Sequence, residues 1–245
     1  MIDLHCHLLY GIDDGAQDRE TAAAMLRAAA DDGIGDIVCT PHFSSCGAAA
    51  AAPLRETLAQ EAAGLGIALH PGMEYDYRQL RLAESFQTLG NGRFLLLDFC
   101  APTLPAGWET AFAELRLRGY EILVAHPERL FRSIDTVRRL RGAGAYFQLT
   151  AGSLLGDCGR ACAGFALRLL YGGFCDCVAS DAHGLRRTFH LSGCREMLER
   201  RLGAEETHRI FETNAAAILN GGKPERMEPV ERNFRQRLRD RFGKI

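Results

Sequence analysis

The sequence predicts an α/β protein built on parallel strands, and three observations carry that expectation. Short apolar runs of β type alternate with amphipathic helical stretches, the pattern of repeated βαβ units. The 245 residues, 47% hydrophobic and 24% charged, suffice for one large α/β domain with a sizeable core. Potential metal ligands and other titratable residues gather at the ends of successive strands. Seven strand–helix units in a chain of this size suggest a closed or nearly closed barrel, with a doubly wound open sheet as the other arrangement.

Strands are expected at Ile2–His5, Asp36–Thr40, Ile67–His70, Phe94–Phe99, Glu121–Ala125, Tyr146–Thr150 and Asp176–Ser180. The continuous apolar runs Phe94–Leu97 and Ile122–Ala125 suit strands covered on both faces. Helices are expected at Arg19–Asp32, Leu54–Ala63, Trp108–Arg118, Ile134–Arg141, Arg160–Tyr171 and Ser192–Leu202. Gly33, Gly66, Gly119, Gly144 and Gly172 stand where a left-handed residue would stop a helix. Cys46–Pro53, mostly alanine, reads as a loop or the lead-in to a helix. Residues 1–222 form the expected domain. Residues 223–245 shift to eight Lys/Arg against four Asp/Glu and read as a basic tail or a solvated terminal helix.

A net charge of −2 argues against a general nucleic-acid binder. No apolar run is long enough to insert in a membrane, and the N-terminus lacks the character of a signal peptide, so a cytoplasmic protein is expected. Accordingly, the nine cysteines do not read as a disulfide framework. Cys6, Cys39, Cys100, Cys177 and Cys194 read as small buried hydrophobes.

The chemistry lies at the strand ends. His5-Cys6-His7 closes the first strand, with Asp13-Asp14-Gly15 just beyond, and Thr40-Pro41-His42 closes the second. Gly72-Met73-Glu74 follows the third, Asp98 ends the fourth, His126-Pro127-Glu128-Arg129 follows the fifth, and Asp181-Ala182-His183 follows the seventh. In barrels of parallel strands those ends converge on one mouth. A His-x-His pair on extended backbone puts both imidazoles on one face, where they can share an ion with carboxylates from other strands. One such pair is weak evidence, but the same placement at six strand ends is hard to explain as core packing. His70 reads as a packed or capping side chain, His190 and His208 as surface or interhelical residues, and Asp3 as a hydrogen-bond partner of a neighbouring loop.

Met1–Gly15, Thr40–His42, Gly72–Tyr75, Leu97–Phe99, Ala125–Arg129 and Ser180–His183 resemble the polymerase-and-histidinol-phosphatase (PHP) superfamily. Within it they are most similar to the capsule-associated, metal-dependent bacterial protein-tyrosine phosphatases. That resemblance implies a distorted seven-stranded (β/α) barrel of PHP type carrying three divalent ions, manganese being favoured over iron or zinc. It implies that His5, His7, Glu74 and Asp181 hold the first ion, and that Glu74 bridges to a second completed by Asp98 and His126. Asp14, His42 and His183 would hold the third. The family usually has glutamate where this chain has Asp98, and a longer segment after His42.

Hydrolysis of a phosphate ester needs water activated near neutral pH and positive partners for the phosphoryl oxygens. By the same resemblance Arg129 and Arg187 grip phosphate, with Arg186 a rival of Arg187; a planar guanidinium can bind two such oxygens. The spacing of a thiolate phosphatase, Cys-x5-Arg, occurs at Cys162…Arg168 and Cys194…Arg200. Both fall in expected helices without a glycine-rich phosphate loop, so that chemistry is set aside. The expected function is hydrolysis of phosphotyrosine on a protein, with a tyrosine kinase of exopolysaccharide assembly as partner. The alternatives are a histidinol-phosphate type phosphatase and a catalytically silent binding module.

Overall fold

The computed structural model describes residues 1–45, 47–80 and 85–230. Two wholly parallel sheets run through it. The first has the order β1 (Ile2–Cys6), β2 (Asp36–Cys39), β3 (Ala68–Pro71). The second runs β4 (Glu74–Asp76), β5 (Phe94–Asp98), β6 (Glu121–Ala125), β7 (Tyr146–Thr150), β8 (Cys177–Ala179). Each strand in both orders lies beside its sequence neighbour, as right-handed βαβ crossovers produce. The barrel expectation is met only in part. The strands number eight among the described residues, because Glu74 opens a short strand of its own, and no continuous ladder closes a ring. Isolated parallel bridges join the sheets instead, Cys6 to Ala182 and His42 to Glu74. All four bridging residues belong to the expected ligand loops or adjoin them.

The crossover helices include α1 (Arg19–Asp31), α2 (Ala48–Gly64), α3 (Trp108–Leu117), the short α4 (Pro127–Leu130), α5 (Ile134–Gly142), α6 (Ala151–Leu155) and α7 (Arg160–Tyr171). Then come α8 (Leu191–Leu202), α9 (Ala204–His208) and, after a π-helical turn at Arg209–Thr213, α10 (Asn214–Leu219). Asp18 caps α1 by accepting from the Thr21 N–H at 2.8 Å. The alanine run is helical, so α2 begins six residues before the expected Leu54, with Pro53 inside it; Cys46 lies outside the described residues. Gly33, Gly66, Gly119 and Gly144 are left-handed as expected. Gly172 is not: α7 ends at Tyr171 as expected, but Gly172 has φ −80° and Gly173 makes the left-handed turn, with φ 78°.

Side chains of the strands alternate between two cores. Ile37, Leu95, Leu97, Ile122, Val124 and Phe147 belong to the larger one, shared with helical residues such as Met25, Phe112 and Leu169. Leu4, Val38, Phe94, Leu96, Leu123, Ala125 and Tyr146 form the smaller one, together with Ala215, Ile218 and Leu219 of α10. The smaller core explains where the chemistry sits. Phe94 and Leu96 share a strand face with Asp98, and Tyr146 shares one with Gln148 and Thr150, so each strand turns from apolar to polar along a single face. Cys100 departs from expectation: it is exposed, in left-handed backbone just past β5, with its thiol against the Asp98 carboxylate. Beyond α10, residues 223–230 carry no helix and pack back on the body, where the Val230 N–H donates to the Tyr171 carbonyl. The rest of the expected tail, 231–245, lies outside the described residues.

Candidate metal centre

The strand ends deliver His5, His7, Glu74, Asp98, His126 and Asp181 to one place, with Asp14, His42 and His183 beside them. Local backbone geometry makes this arrangement. His126 and Asp181 both adopt left-handed φ (32° and 53°), which turns each chain sharply as it leaves its strand. The Asp181 N–H donates to the His5 carbonyl, and the His7 N–H donates to the Ala182 carbonyl, fastening the last ligand loop to the first. Gly15 lies against His7 so closely that a Cβ there would come within 2.1 Å of the His7 carbonyl oxygen.

Four atoms face one another at the centre: Nε2 of His5, Nε2 of His7, Oε2 of Glu74 and Oδ1 of Asp181. The two nitrogens are 3.1 Å apart. Four nitrogen–oxygen separations run from 3.3 to 3.5 Å. Both imidazole nitrogens thus lie close to both carboxylate oxygens, a set of nitrogen and oxygen donors that suits a divalent ion. Glu74 Oε2 is buried and accepts no hydrogen bond, although His42 Nδ1 is 2.9 Å away. A buried carboxylate oxygen left without a donor among imidazole nitrogens fits a cation and is costly without one.

Glu74 Oε1 faces the other way, 3.0 Å from His126 Nε2, and Asp98 completes a second group. Asp14 Oδ1 lies 3.2 Å from His42 Nε2 and 3.3 Å from His183 Nε2, a third group that His7 adjoins. Several groups of this chain could therefore hold divalent ions side by side, with Glu74 between two of them.

Outer partners fix the imidazoles. His5 Nδ1 is 3.0 Å from Gln148 Oε1 and His7 Nδ1 is 2.8 Å from Asp13 Oδ2, so each ring's inner nitrogen is free of its proton when the outer one donates. Asp3, as expected, serves the loop behind the site, accepting from the Ser180 N–H and hydroxyl. Sequence reasoning missed Asp13 and Gln148. Asp13 was visible in Asp-Asp-Gly, but spacing cannot say which of two adjacent carboxylates faces inward, and Gln148 sits among strand residues with no motif around it.

The charges are tightly balanced. Burial raises the pKa of Glu74 and of Asp181, but His5 and neighbouring cations more than reverse this and hold both carboxyls well below the usual range. Burial lowers the His126 pKa, yet Glu74, Asp181 and Asp98 carry it to about 9. His183 goes the opposite way, to about 4, through burial and the neighbouring His7. Arg129 and Arg187 converge on Asp181 Oδ2, both in direct contact with it. Arg186 is exposed, and it is its neighbour Arg187 that reaches Asp181. The two cysteines of the Cys-x5-Arg spacings lie in α7 and α8; burial pushes both thiols up, so neither is a poised thiolate. His70 pairs with Asp36 at 2.7 Å, away from these groups.

Parallel strands with a cluster of histidines and carboxylates at their C-terminal ends define the class of metal-binding α/β proteins. Within that class, the chain belongs to the capsular polysaccharide synthesis CpsB/CapC family, whose model matches residues 1–220. It is 35% identical over 237 residues to the tyrosine-protein phosphatase YwqE of Bacillus subtilis, covering 89% of this chain and 91% of YwqE. It is 26% identical over 238 residues to the tyrosine-protein phosphatase CpsB of Streptococcus pneumoniae, covering 89% and 98%. Among solved structures it is similar to one from a study of YwqE and CpsB, described as unique metal-dependent tyrosine phosphatases. The TM-score is 0.83 at 32% identity, covering 95% of this chain and all of the other. A lactonase from Listeria monocytogenes, 12% identical with a TM-score of 0.53, shares the fold.

Proposed function

We propose that this protein is a metal-dependent phosphatase that hydrolyses phosphotyrosine on proteins, as its relatives' names describe them. The observation that carries the proposal is the pair of guanidinium groups, Arg129 and Arg187, converging beside the histidine and carboxylate cluster. In this reading His5, His7, Glu74 and Asp181 hold one divalent ion, Glu74, Asp98 and His126 a second, and Asp14, His42 and His183 a third, with manganese the expected metal. Such ions activate water at neutral pH and offset charge that develops on phosphoryl oxygens. Arg129 and Arg187 bind and orient the phosphoryl group, and their charge is strongest against the transition state, where its oxygens are most negative. The two bridged sheets are read as a distorted seven-stranded barrel of PHP type, with β3 and β4 counted as one interrupted strand because Pro71 and Glu74 meet Cys39 and His42 in the same register.

No helix among the described residues is long and apolar enough to cross a membrane. A cytoplasmic site of action and a tyrosine kinase of exopolysaccharide assembly as substrate complete the proposal. The segment from His42 to α2 is short, and Leu185, 58% exposed, stands on the loop between His183 and Arg187. An open rim with an apolar side chain suits an aryl phosphate on a flexible peptide, and a phenolate is a better leaving group than an alkoxide. The test is a panel of phosphotyrosine peptide, phosphoserine peptide and histidinol phosphate at one pH and one metal loading. The phosphotyrosine peptide should give the highest kcat/KM; a clear preference for histidinol phosphate would overturn the substrate assignment.

A further inference from the structure

Behind Arg129 lies a polar chain that does not touch the candidate ligands. Glu128, Thr150 and Ser153 are all fully buried, at 0% exposure. Glu128 Oε1 accepts from the Thr150 N–H at 3.0 Å and from the Thr150 hydroxyl at 2.8 Å. Thr150 Oγ1 and Ser153 Oγ are 2.6 Å apart. Arg129 donates through Nη2 to Thr150 Oγ1 at 3.2 Å and through Nε to Ser153 Oγ at 3.4 Å.

The protons in this chain can be placed one by one. A carboxylate oxygen only accepts, so the single hydroxyl proton of Thr150 goes to Glu128. The proton between the two hydroxyls is then Ser153's, and it points the same way. Both oxygens are left with lone pairs toward the guanidinium edge, which carries only donors. Nη1, on the other edge, is the nitrogen that contacts Asp181. We propose that Glu128, through Thr150 and Ser153, is a positioning residue that orients two hydroxyl acceptors so that Arg129 presents its Nη1 edge to the phosphoryl group. Without the carboxylate both hydroxyls could rotate, and the guanidinium would lose its fixed direction in the mouth. The inference rests on Arg129 acting as a phosphate ligand.

The experiment measures inorganic phosphate binding to the metal-loaded protein by calorimetry, alongside hydrolysis of an aryl phosphate. Thr150→Val removes the hydroxyl at nearly constant volume. It should weaken phosphate binding about tenfold, the worth of one hydrogen bond to a charged group. Thr150→Ser should restore binding to within about threefold, as should Glu128→Gln, whose amide oxygen still accepts. In an Arg129→Ala background Thr150→Val should add nothing, because the chain then has no guanidinium to hold. Thermal unfolding and metal content report whether each variant is folded and loaded, and the Thr150 pair suffices if Glu128 variants do not fold. Unchanged phosphate binding in Thr150→Val, an equal loss in the Arg129→Ala background, or no phosphate binding by the parent protein would overturn the proposal. Phosphate binding that depends on Thr150 without hydrolysis of phosphotyrosine would leave it standing and refute the proposed function instead.

Discussion

Replacing Asp13 by asparagine should loosen the metal centre without removing a single ligand. The Asp13 carboxylate is fully buried and has three partners: His7 Nδ1 at 2.8 Å and the His42 N–H at 3.2 Å on Oδ2, and the Gly15 N–H at 2.9 Å on Oδ1. When His7 Nε2 faces an ion, its Nδ1 carries the proton, so all three partners donate. Asparagine has one accepting oxygen and one NH2, so at least one donor is left facing another. That mismatch costs roughly 1–3 kcal/mol. If the amide nitrogen takes the Oδ2 place, His7 Nδ1 can accept from it only in the other tautomer, which points an N–H at the ion instead of a lone pair. The His42 N–H is still left facing that nitrogen. This predicts metal affinity weakened about 10- to 100-fold, roughly 1.4–2.8 kcal/mol. Titrating chelator-treated protein with manganese by calorimetry measures it, with the unfolding midpoint of the metal-free protein as control. Wild-type affinity in a folded Asp13→Asn protein would refute the reasoning, since it would mean that the carboxylate does not set the His7 tautomer.

Gly15→Ala should be worse, because its Cβ would meet the His7 carbonyl oxygen at 2.1 Å and the whole Asp13–Asp14 turn must move; loss of metal stoichiometry in a protein that still folds is the expected readout. Metal affinity should rise between about pH 6 and 9. His126, raised to about 9 without an ion, must give up its proton to bind one; for the same reason its protonation stabilises the metal-free fold fully below the unfolded value near 6.5 and is lost as pH climbs through 9. Proton release measured in two buffers during metal titration at pH 7 checks this, and zero release would contradict it. Arg129→Ala and Arg187→Ala should each lower kcat/KM by about 30- to 900-fold, a loss of about 2–4 kcal/mol of transition-state stabilisation, with metal content unchanged. Cys162→Ser and Cys194→Ser should keep the chemical step nearly intact, because neither thiol is poised as a nucleophile; lost turnover in a well-folded variant would revive the thiolate route.

The alternation of apolar runs and helical periods was enough to give parallel strands and to place the ligand types at their ends, because period and turn chemistry are local properties of the chain. His5, His7, His42, Glu74, Asp98, His126, Asp181 and His183 were legible for that reason: each follows or ends a strand that its own neighbours specify. Residues whose role lies in a partner distant along the chain were not. Gln148 meets His5 across 143 positions and Thr150 meets Glu128 across 22, and no local pattern records either pairing. The short strand at Glu74 escaped for a similar reason, since three residues carry too little periodicity and pairing with β5 makes them a strand. Cys100 follows the apolar run of β5 and so reads as a core residue, yet a left-handed turn carries it to the surface. The sequence by itself determined which chemical groups this protein has and the strand ends on which it carries them. Only the tertiary structure decided which of Asp13 and Asp14 faces His7 Nδ1, and which of Arg186 and Arg187 reaches Asp181. Such choices turn on angles and distances of a few ångströms between segments far apart in the chain, which residue order does not encode locally.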